Sequence, residues 1–337
     1  MSRELARRVA DAVLYEGYML YPYRPSALKN RQRWSFGILY PPAYVEVLGG
    51  TERCAMHSEC LLETAGDCAL QIELRFLHLQ TQEVRQPTEE PGNFRPSLVD
   101  GRLVQSGDEG VARSIECELS ASSLGPQDFQ FSFSGFRDDQ PVKDDGGCVV
   151  GRLLRAQQEI YGSISVTTEK IRENIRKLSI DVVNATPLTS DAADRNSALL
   201  RSLLSAHLIL TLTAGEFTSL LEPPEHLREA VSGCRNVGNF PVLVGNNAAR
   251  DMMLCSPILL YDYPQIAPES AGDFYDATEM DEMLTLRVMT LTEDEKKEMR
   301  AAGDHARNLL ERTEQSVREQ LMRTHGTIRS MRNLEKS

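Results

Sequence analysis

At 337 residues, with 41% hydrophobic and 26% charged positions, the chain has the composition of an ordinary soluble globular protein, sized for one large domain or two of about 150 to 180 residues. A net charge of −12 excludes the face-wide basic excess with which nucleic-acid binders displace phosphate counterions. No apolar run approaches the ~18 residues that cross a bilayer, so no membrane insertion is expected.

In chain order, residues 2 to about 20 place Leu5, Val9, Val13 and Leu14 near helical spacing with Arg3, Arg7 and Arg8 elsewhere, which predicts an amphipathic first helix limited by Gly17 and Pro22. The pattern is charge-interrupted and ends in no small-residue cleavage site, so it reads as helix rather than signal peptide, and a cytoplasmic location is the expectation. The stretch Asp11 to Tyr44 then concentrates six of the ten tyrosines, the single Trp34 and the basic Arg24, Lys29, Arg31 and Arg33. Rings bury large area at low entropy cost and arginine binds carboxylates through paired donors, so this composition suits a recognition surface. An extended arm packed over strands, with its arginines in solvent, is the bland alternative.

From Trp34 to about Pro187 the pattern turns to strands: GILY, ECLLET, then CALQIELRFLHLQ, where Leu70, Ile72, Leu74 and Phe76 alternate with Gln71, Glu73 and Arg75. Ala65-Gly66-Asp67 reads as a hairpin turn between the last two. SIECELSAS, DFQFSFSGF, YGSISVTTEKI and RKLSIDVVNAT add further strands, while Pro87 to Pro96 and Arg137 to Gly147 read as exposed loops. After Pro187, Asp191 to about Leu204 reads as a helix, and AHLILTLT either continues it or becomes a buried strand. EHLREAVSG predicts a short helix between Pro224 and Gly233, and FPVLVG and SPILLY are compatible with buried strands. Asp276-x-x-Glu279 and Thr292-x-x-Glu295 have the form of capping boxes, the second opening a long final helix with Glu293/Lys297, Glu314/Arg318 and Glu319/Arg323 pairs. Its stripe of Met299, Ala306, Leu310, Val317 and Leu321 is broken by Thr313 and Gln320, which favours a surface helix over a coiled coil. The expected architecture is α+β: an N-terminal arm and antiparallel β-rich part over 1–188, and a mixed α/β part over 189–337 that ends in a long helix, the two able to pack as one unit.

No constellation carries chemistry with conviction. Cys54-x-x-His57-x-x-Cys60, with Cys68 beyond, has zinc-compatible atoms, but on a strand residues 54 and 60 stand about 20 Å apart, which defeats a common ion. The seven cysteines read as reduced thiols, and neither metal nor cofactor is expected. The six histidines are dispersed, and phosphate-loop glycine patterns and a GxSxG elbow are missing from the sequence. Charge is uneven: residues 1–35 carry seven Lys/Arg against three Asp/Glu, and residues 251–296 carry two against eleven. The acidic cluster of Asp262, Glu269, Asp273, Asp276, Glu279, Asp281 and Glu282 fits no EF-hand spacing and reads as solvated carboxylates or a docking face for basic groups.

Three strings, ADAVLYEGYMLYPYRPSALKNRQRW, CRNVGNFPVLVG and SPILLYDYPQIAPESAGDFYDATEMDEMLTLRVMTLTEDEK, together about a quarter of the chain, resemble a family of bacterial proteins of uncharacterised activity encoded in gene clusters of nickel–iron uptake hydrogenases, especially the high-affinity, oxygen-tolerant type. The family offers no catalytic residues to carry over. What the resemblance implies is an accessory or maturation role, as a non-catalytic assembly factor that contacts hydrogenase subunits. Candidate contact residues are Tyr18, Tyr21, Tyr23, Arg24, Lys29 and Arg31 on one surface, and Asp262, Glu269, Asp276 and Glu279 on another. Two alternatives stay open: an enzyme, hydrolase-like, with Glu16, Asp262 or Glu269 converging in a pocket between arm and acidic segment, and a permanent structural subunit of the mature complex.

Overall fold

The alternating Leu70, Ile72, Leu74 and Phe76 form the inner face of the longest strand, each at most 1% exposed, and each such burial stabilises the fold by roughly 1.5–3 kcal/mol. The computed structural model describes residues 2–15, 36–64, 66, 68–85, 97–99, 102–104, 106–121, 125–143, 149–188, 194–246, 249–265, 288, 291–301, 306–308, 310–311 and 313–315. In chain order the elements are α1 (Ser2–Tyr15), α2 (Pro42–Val47), β1 (Ala55–Glu63), β2 (Ala69–Arg85), β3 (Ser97–Val99), β4 (Arg102–Val104), β5 (Gly107–Ser120), β6 (Gly125–Phe133), β7 (Phe136–Lys143) and β8 (Val149–Gln157). They continue with β9 (Ile160–Lys170), β10 (Ile175–Asn184), α3 (Arg195–Leu199), β11 (Leu204–Leu212), β12 (Glu216–Phe217), α4 (Arg228–Ser232), β13 (Phe240–Leu243), β14 (Met252–Ser256) and α5 (Glu293–Ala301).

Two antiparallel sheets face each other. One has five strands in the order β12-β1-β10-β9-β6; the other has seven, in the order β13-β14-β11-β2-β8-β7 with β5 also paired to β2. The long β2 is shared along its length: β11 pairs with Leu70–Leu77, β8 takes over from Gln80 to Arg85, and β5 lines the opposite edge from Ala69 to Gln82. The principal core lies between the sheets, with Met56, Leu62, Ile164 and Leu178 from the first meeting Leu70, Phe76, Leu208 and Met253 from the second. On the outer face of the seven-stranded sheet, Ala6, Val9, Ala10 and Val13 of α1 bury Ile209, Val242, Met252 and Leu254. The predicted amphipathic first helix is therefore present, and it makes a third layer.

Several expectations are corrected. The α+β architecture with a mixed α/β C-terminal part gives way to a β-rich sandwich: AHLILTLT and FPVLVG supply β11 and β13, antiparallel members of the sheet that β2 nucleates. The Ala65-Gly66-Asp67 junction makes no hairpin, because β1 pairs with β10 and β12 while β2 lies in the opposite sheet. Residues 137–143, read as part of a loop, belong to edge strand β7, whose charged and proline residues guard an edge against pairing with another chain. The strand expected at SPILLY lies just upstream, at Met252–Ser256, and Leu259 and Tyr261 beyond it are exposed. A long C-terminal helix is not seen among the described residues, which hold the nine-residue α5 and shorter helical stretches to 315. Its stripe is not a free surface either: Met299, Ala306 and Leu310 pack with Leu14, Tyr40, Tyr44, Leu77 and Leu204, and Thr313 is buried as well. Pro87 to Pro96 and the helix expected from Asp276 to Arg287 lie outside the described residues.

The Thr292 capping box is formed. Thr292 Oγ1 accepts from the Glu295 N–H at 3.3 Å, and the Glu295 carboxylate accepts from the Thr292 N–H at 2.8 Å. Thr292→Ala is expected to cost about 1 kcal/mol, read as a lowered urea midpoint at unchanged slope.

Candidate functional site

The described end of the tyrosine- and arginine-rich stretch, from Phe36 on, is strapped to the sandwich. Leu39 exchanges backbone hydrogen bonds with Leu203 at 2.9 and 3.1 Å, while Phe36 O and Gly37 O accept from the Ser205 and Ala206 N–H groups. To present those donors β11 slips register between Leu204 and His207, and Ser205 takes a φ of +52°, a left-handed conformation costly for a residue with a side chain. His207 Nδ1 donates to Ser205 O at 2.7 Å and secures the bulge from within. Beneath it, the fully buried Asn184 donates through Nδ2 to Leu39 O at 2.8 Å and Arg201 O at 2.9 Å, and its Oδ1 accepts from Thr186 N–H at 2.9 Å.

This strap forms one wall of a cleft of about 480 Å³ at the mouth of the sandwich. Leu39, Met56 and Ala206, all part of the principal core, line it, together with Glu52 and Arg53 from the loop before β1 and Arg195 from the first turn of α3. Arg195 hydrogen-bonds the buried Tyr40, whose hydroxyl is pushed above the usual tyrosine range by burial and by Glu52, against the opposing pull of Arg195. Gly37, at φ +53°, closes the rim: a Cβ there would stand 2.8 Å from the Pro257 side chain, so the end of the aromatic segment and the start of the acidic one touch.

Behind the cleft, the CRNVGN string is spent on structure. His57 and Val237 exchange backbone hydrogen bonds at 2.9 and 3.0 Å, and Asn236 Oδ1 accepts from the Glu59 N–H while its Nδ2 donates to Glu59 O. Asn239 accepts from the Ser58 hydroxyl through Oδ1 and donates to His57 O through Nδ2. The Val237 backbone and the Asn236 side chain thus stand in for a neighbouring strand along the edge of β1 that β12 leaves open. The Glu59 carboxylate anchors this loop: Arg235 N–H donates to it at 2.7 Å, Ser179 Oγ at 3.1 Å, and Lys177 Nζ and His57 Nε2 stand at 3.4 and 3.5 Å. His57 Nδ1 meets Asp181 at 2.7 Å. Burial works to raise the Glu59 carboxyl, but the Arg235 N–H, Ser179 and Lys177 outweigh it and hold the group below the usual carboxylate range. Its contribution is therefore present above the unfolded value and lost as pH falls through the lower folded one. Glu59→Gln is expected to cost about 1–3 kcal/mol at pH 7 and to flatten the acid limb of the stability profile, checked by urea denaturation across pH.

The sequence-predicted residues are distributed as follows. Asp262 has its carboxylate engaged, accepting from Ser219 Oγ at 2.5 Å and from the Leu243 N–H at 2.8 Å. Tyr18, Tyr21, Tyr23, Arg24, Lys29, Arg31, Glu269, Asp276 and Glu279 lie outside the described residues, as does Glu16. Cys54, Cys60 and Cys68 are free thiols, and among the described residues no group of three or more His, Cys, Asp and Glu is placed to hold a metal ion. Burial pushes Cys117 and Cys234 up to about 11 and Cys255 to about 12, so these thiols are protonated and inert as nucleophiles near neutral pH. Sequence reasoning missed Arg53 and Arg195, and the union of His57, Glu59, Lys177 and Asp181. The first pair sits in unremarkable polar context; the second is assembled across the β1–β10 register, which no local spacing reveals.

No helix among the described residues is long and apolar enough to cross a membrane. No protein-family model matches the chain. A search of curated proteins returns no match. Among solved structures, the chain is similar to the secretin InvG of the Salmonella SPI-1 type III secretion injectisome (residues 176 to the end, open gate state), at 13% identity over 62% of this chain and 64% of that one, with a TM-score of 0.14. The chain thus covers less than two thirds of that structure, and a likeness at this TM-score carries no argument about fold or function.

Proposed function

We propose that the protein is a non-catalytic assembly factor for a metalloenzyme, a nickel–iron hydrogenase being the implied target, and that it acts in the cytoplasm by protein–protein contact. One observation supports the reading: Gly37, in the aromatic stretch just after the basic residues, abuts Pro257, five residues before the acidic cluster begins at Asp262. Around that junction large apolar side chains face solvent, Phe36 at 40%, Leu259 at 88% and Tyr261 at 85% exposure. Aromatic and aliphatic side chains held out of the core beside charged segments are what interface centres with polar rims are made of. The buried thiols and the structurally committed Asp262 and Glu59 carboxylates favour contact over chemistry.

Charge reversal of Arg24 and Arg31 is expected to lower assembly of the mature hydrogenase several-fold, measured as active enzyme per cell, while the variant stays soluble. Unchanged assembly at normal solubility would count against the proposal. Affinity capture of the tagged protein from its native cells supports it when immature hydrogenase subunits are recovered without stoichiometric metal; metal on the isolated protein with no hydrogenase subunit overturns it.

A further inference from the structure

We propose that the cleft at the mouth of the sandwich binds a small molecule bearing a carboxylate or phosphate oxyanion, with Arg53 as its principal anchor, independently of any assembly role. The volume of about 480 Å³ lies within the range of pockets that enclose small ligands. Its composition divides the work. Leu39, Met56 and Ala206 belong to the sandwich core and offer an apolar surface to a hydrocarbon portion, while among the described lining residues two guanidinium groups stand against the carboxylate of Glu52, a net positive charge.

Arg53 is exposed and has no hydrogen-bond or ion-pair partner for its guanidinium among the described residues, which leaves its donors available to a ligand. Its stem is laid against Gly238: a Cβ at that glycine would come 3.5 Å from Arg53 Cδ and 3.4 Å from Met56 Cβ, and φ there is +80°, where a side chain is strained in any case. The second guanidinium, on Arg195, is tied to the Tyr40 hydroxyl, which fixes its position at the rim. A planar fork of donors matches the two oxygens of a carboxylate or phosphate, and charge-assisted bonds of this kind are the strong ones. The strained Ser205–Ala206 bulge lies where the strap forms the cleft wall, and backbone strain of that sort persists where the surrounding structure over-determines a site.

The test is isothermal titration of the full chain with inorganic phosphate, with succinate, and with succinamide as the uncharged analogue. Saturable binding of phosphate or succinate tighter than about 10 mM is expected, weakened about tenfold in Arg53→Gln and unchanged in Arg172→Gln, an exposed arginine on the β9–β10 turn, with succinamide inert. Preference between phosphate and succinate identifies which oxyanion the cleft is built for. No saturation by either anion, equal affinity in Arg53→Gln, or equal loss in Arg172→Gln would overturn the site and leave an adventitious ion only. Circular dichroism of Arg53→Gln keeps the test clean, since an exposed side chain without partners contributes little to folding. Failure here leaves the assembly proposal standing, because that proposal is read from hydrogenase assembly on Arg24 and Arg31 reversal and not from anion binding.

Discussion

Lowering the pH from 6.5 to 5 is expected to remove about 3 kcal/mol of folding stability through two imidazoles, His78 and His207. Both are fully buried. Burial, reinforced by Arg113, holds His78 down at about 4, with the Gln158 and Leu200 backbones partly countering. Burial likewise holds His207 at about 3, Arg75 adding to the effect and the hydrogen bond to Ser205 O opposing it. Both rings therefore stay neutral in the folded chain throughout this interval, while in the unfolded chain they take up protons below about 6.5. The unfolded state binds more protons, so acid favours it, by about 1.4 kcal/mol per unit and per ring well below 6.5. Unfolded glutamates begin to take up protons at the lower end of this interval and act in the same direction, so the slope between 6.5 and 5.5 reads the histidines best. Urea denaturation at half-unit steps reads it directly, and a profile flat between 6.5 and 5 would show that the rings do not stay neutral as described. Since domains of ordinary stability hold about 5–15 kcal/mol in reserve, the loss is a large share of the total.

Asn184→Ala is expected to cost about 2–4 kcal/mol, because it strips partners from Arg201 O and the buried Thr186 N–H and weakens the hold on Leu39 O. Asn184→Asp should be worse: it keeps an acceptor for Thr186 but sets a second carboxylate oxygen against two carbonyls in a dry site. The local signature is faster amide exchange at Leu39, Ser205 and Ala206, where the strap joins β11. Stability within about 0.5 kcal/mol of the parent would mean that the strap is held by its backbone ladder alone.

Much of the framework is legible in the chain because burial on one face writes itself as alternation. Leu70 to Phe76 and Leu178 to Val182 show it, and α1 shows the helical equivalent in Val9, Val13 and Leu14. Where a strand is wet along most of its length the signal disappears: β7, FRDDQPVK, buries Val142 but has the composition of a loop because it is an edge strand. Turn chemistry at Ala65-Gly66-Asp67 announces a change of direction but cannot say whether the next strand lies beside the last or across the core. Thr313, read as a break in the helical stripe, is buried against it, since a hydroxyl with a partner can be interior while remaining polar by sequence. The cleft was the least readable feature. Its lining comes from segments around residues 37–40, 51–56, 195, 206, 238 and 257, and only the folded register brings them together.

The separation of β1 from β2 bears on how the molecule comes into being. The nine residues of β1 are paired along their length with β10, Ala55 with Val183 and Glu63 with Ile175, and their other edge is completed by β12 and the CRNVGN segment. A growing chain therefore exposes Leu61 and Leu62 for the time it takes to synthesise more than a hundred further residues before a partner strand exists. Among the described strands of the first 120 residues, the β3–β4 pair and the β2–β5 ladder around it can form early, the ladder joining Gln82 to Gly107 and zipping toward Ala69 and Ser120, but neither gives β1 a partner. Closing such distant ends is slow, and collapse ahead of it favours aggregates. Yield of this protein should respond to translation speed and chaperone supply more steeply than its equilibrium stability alone would suggest.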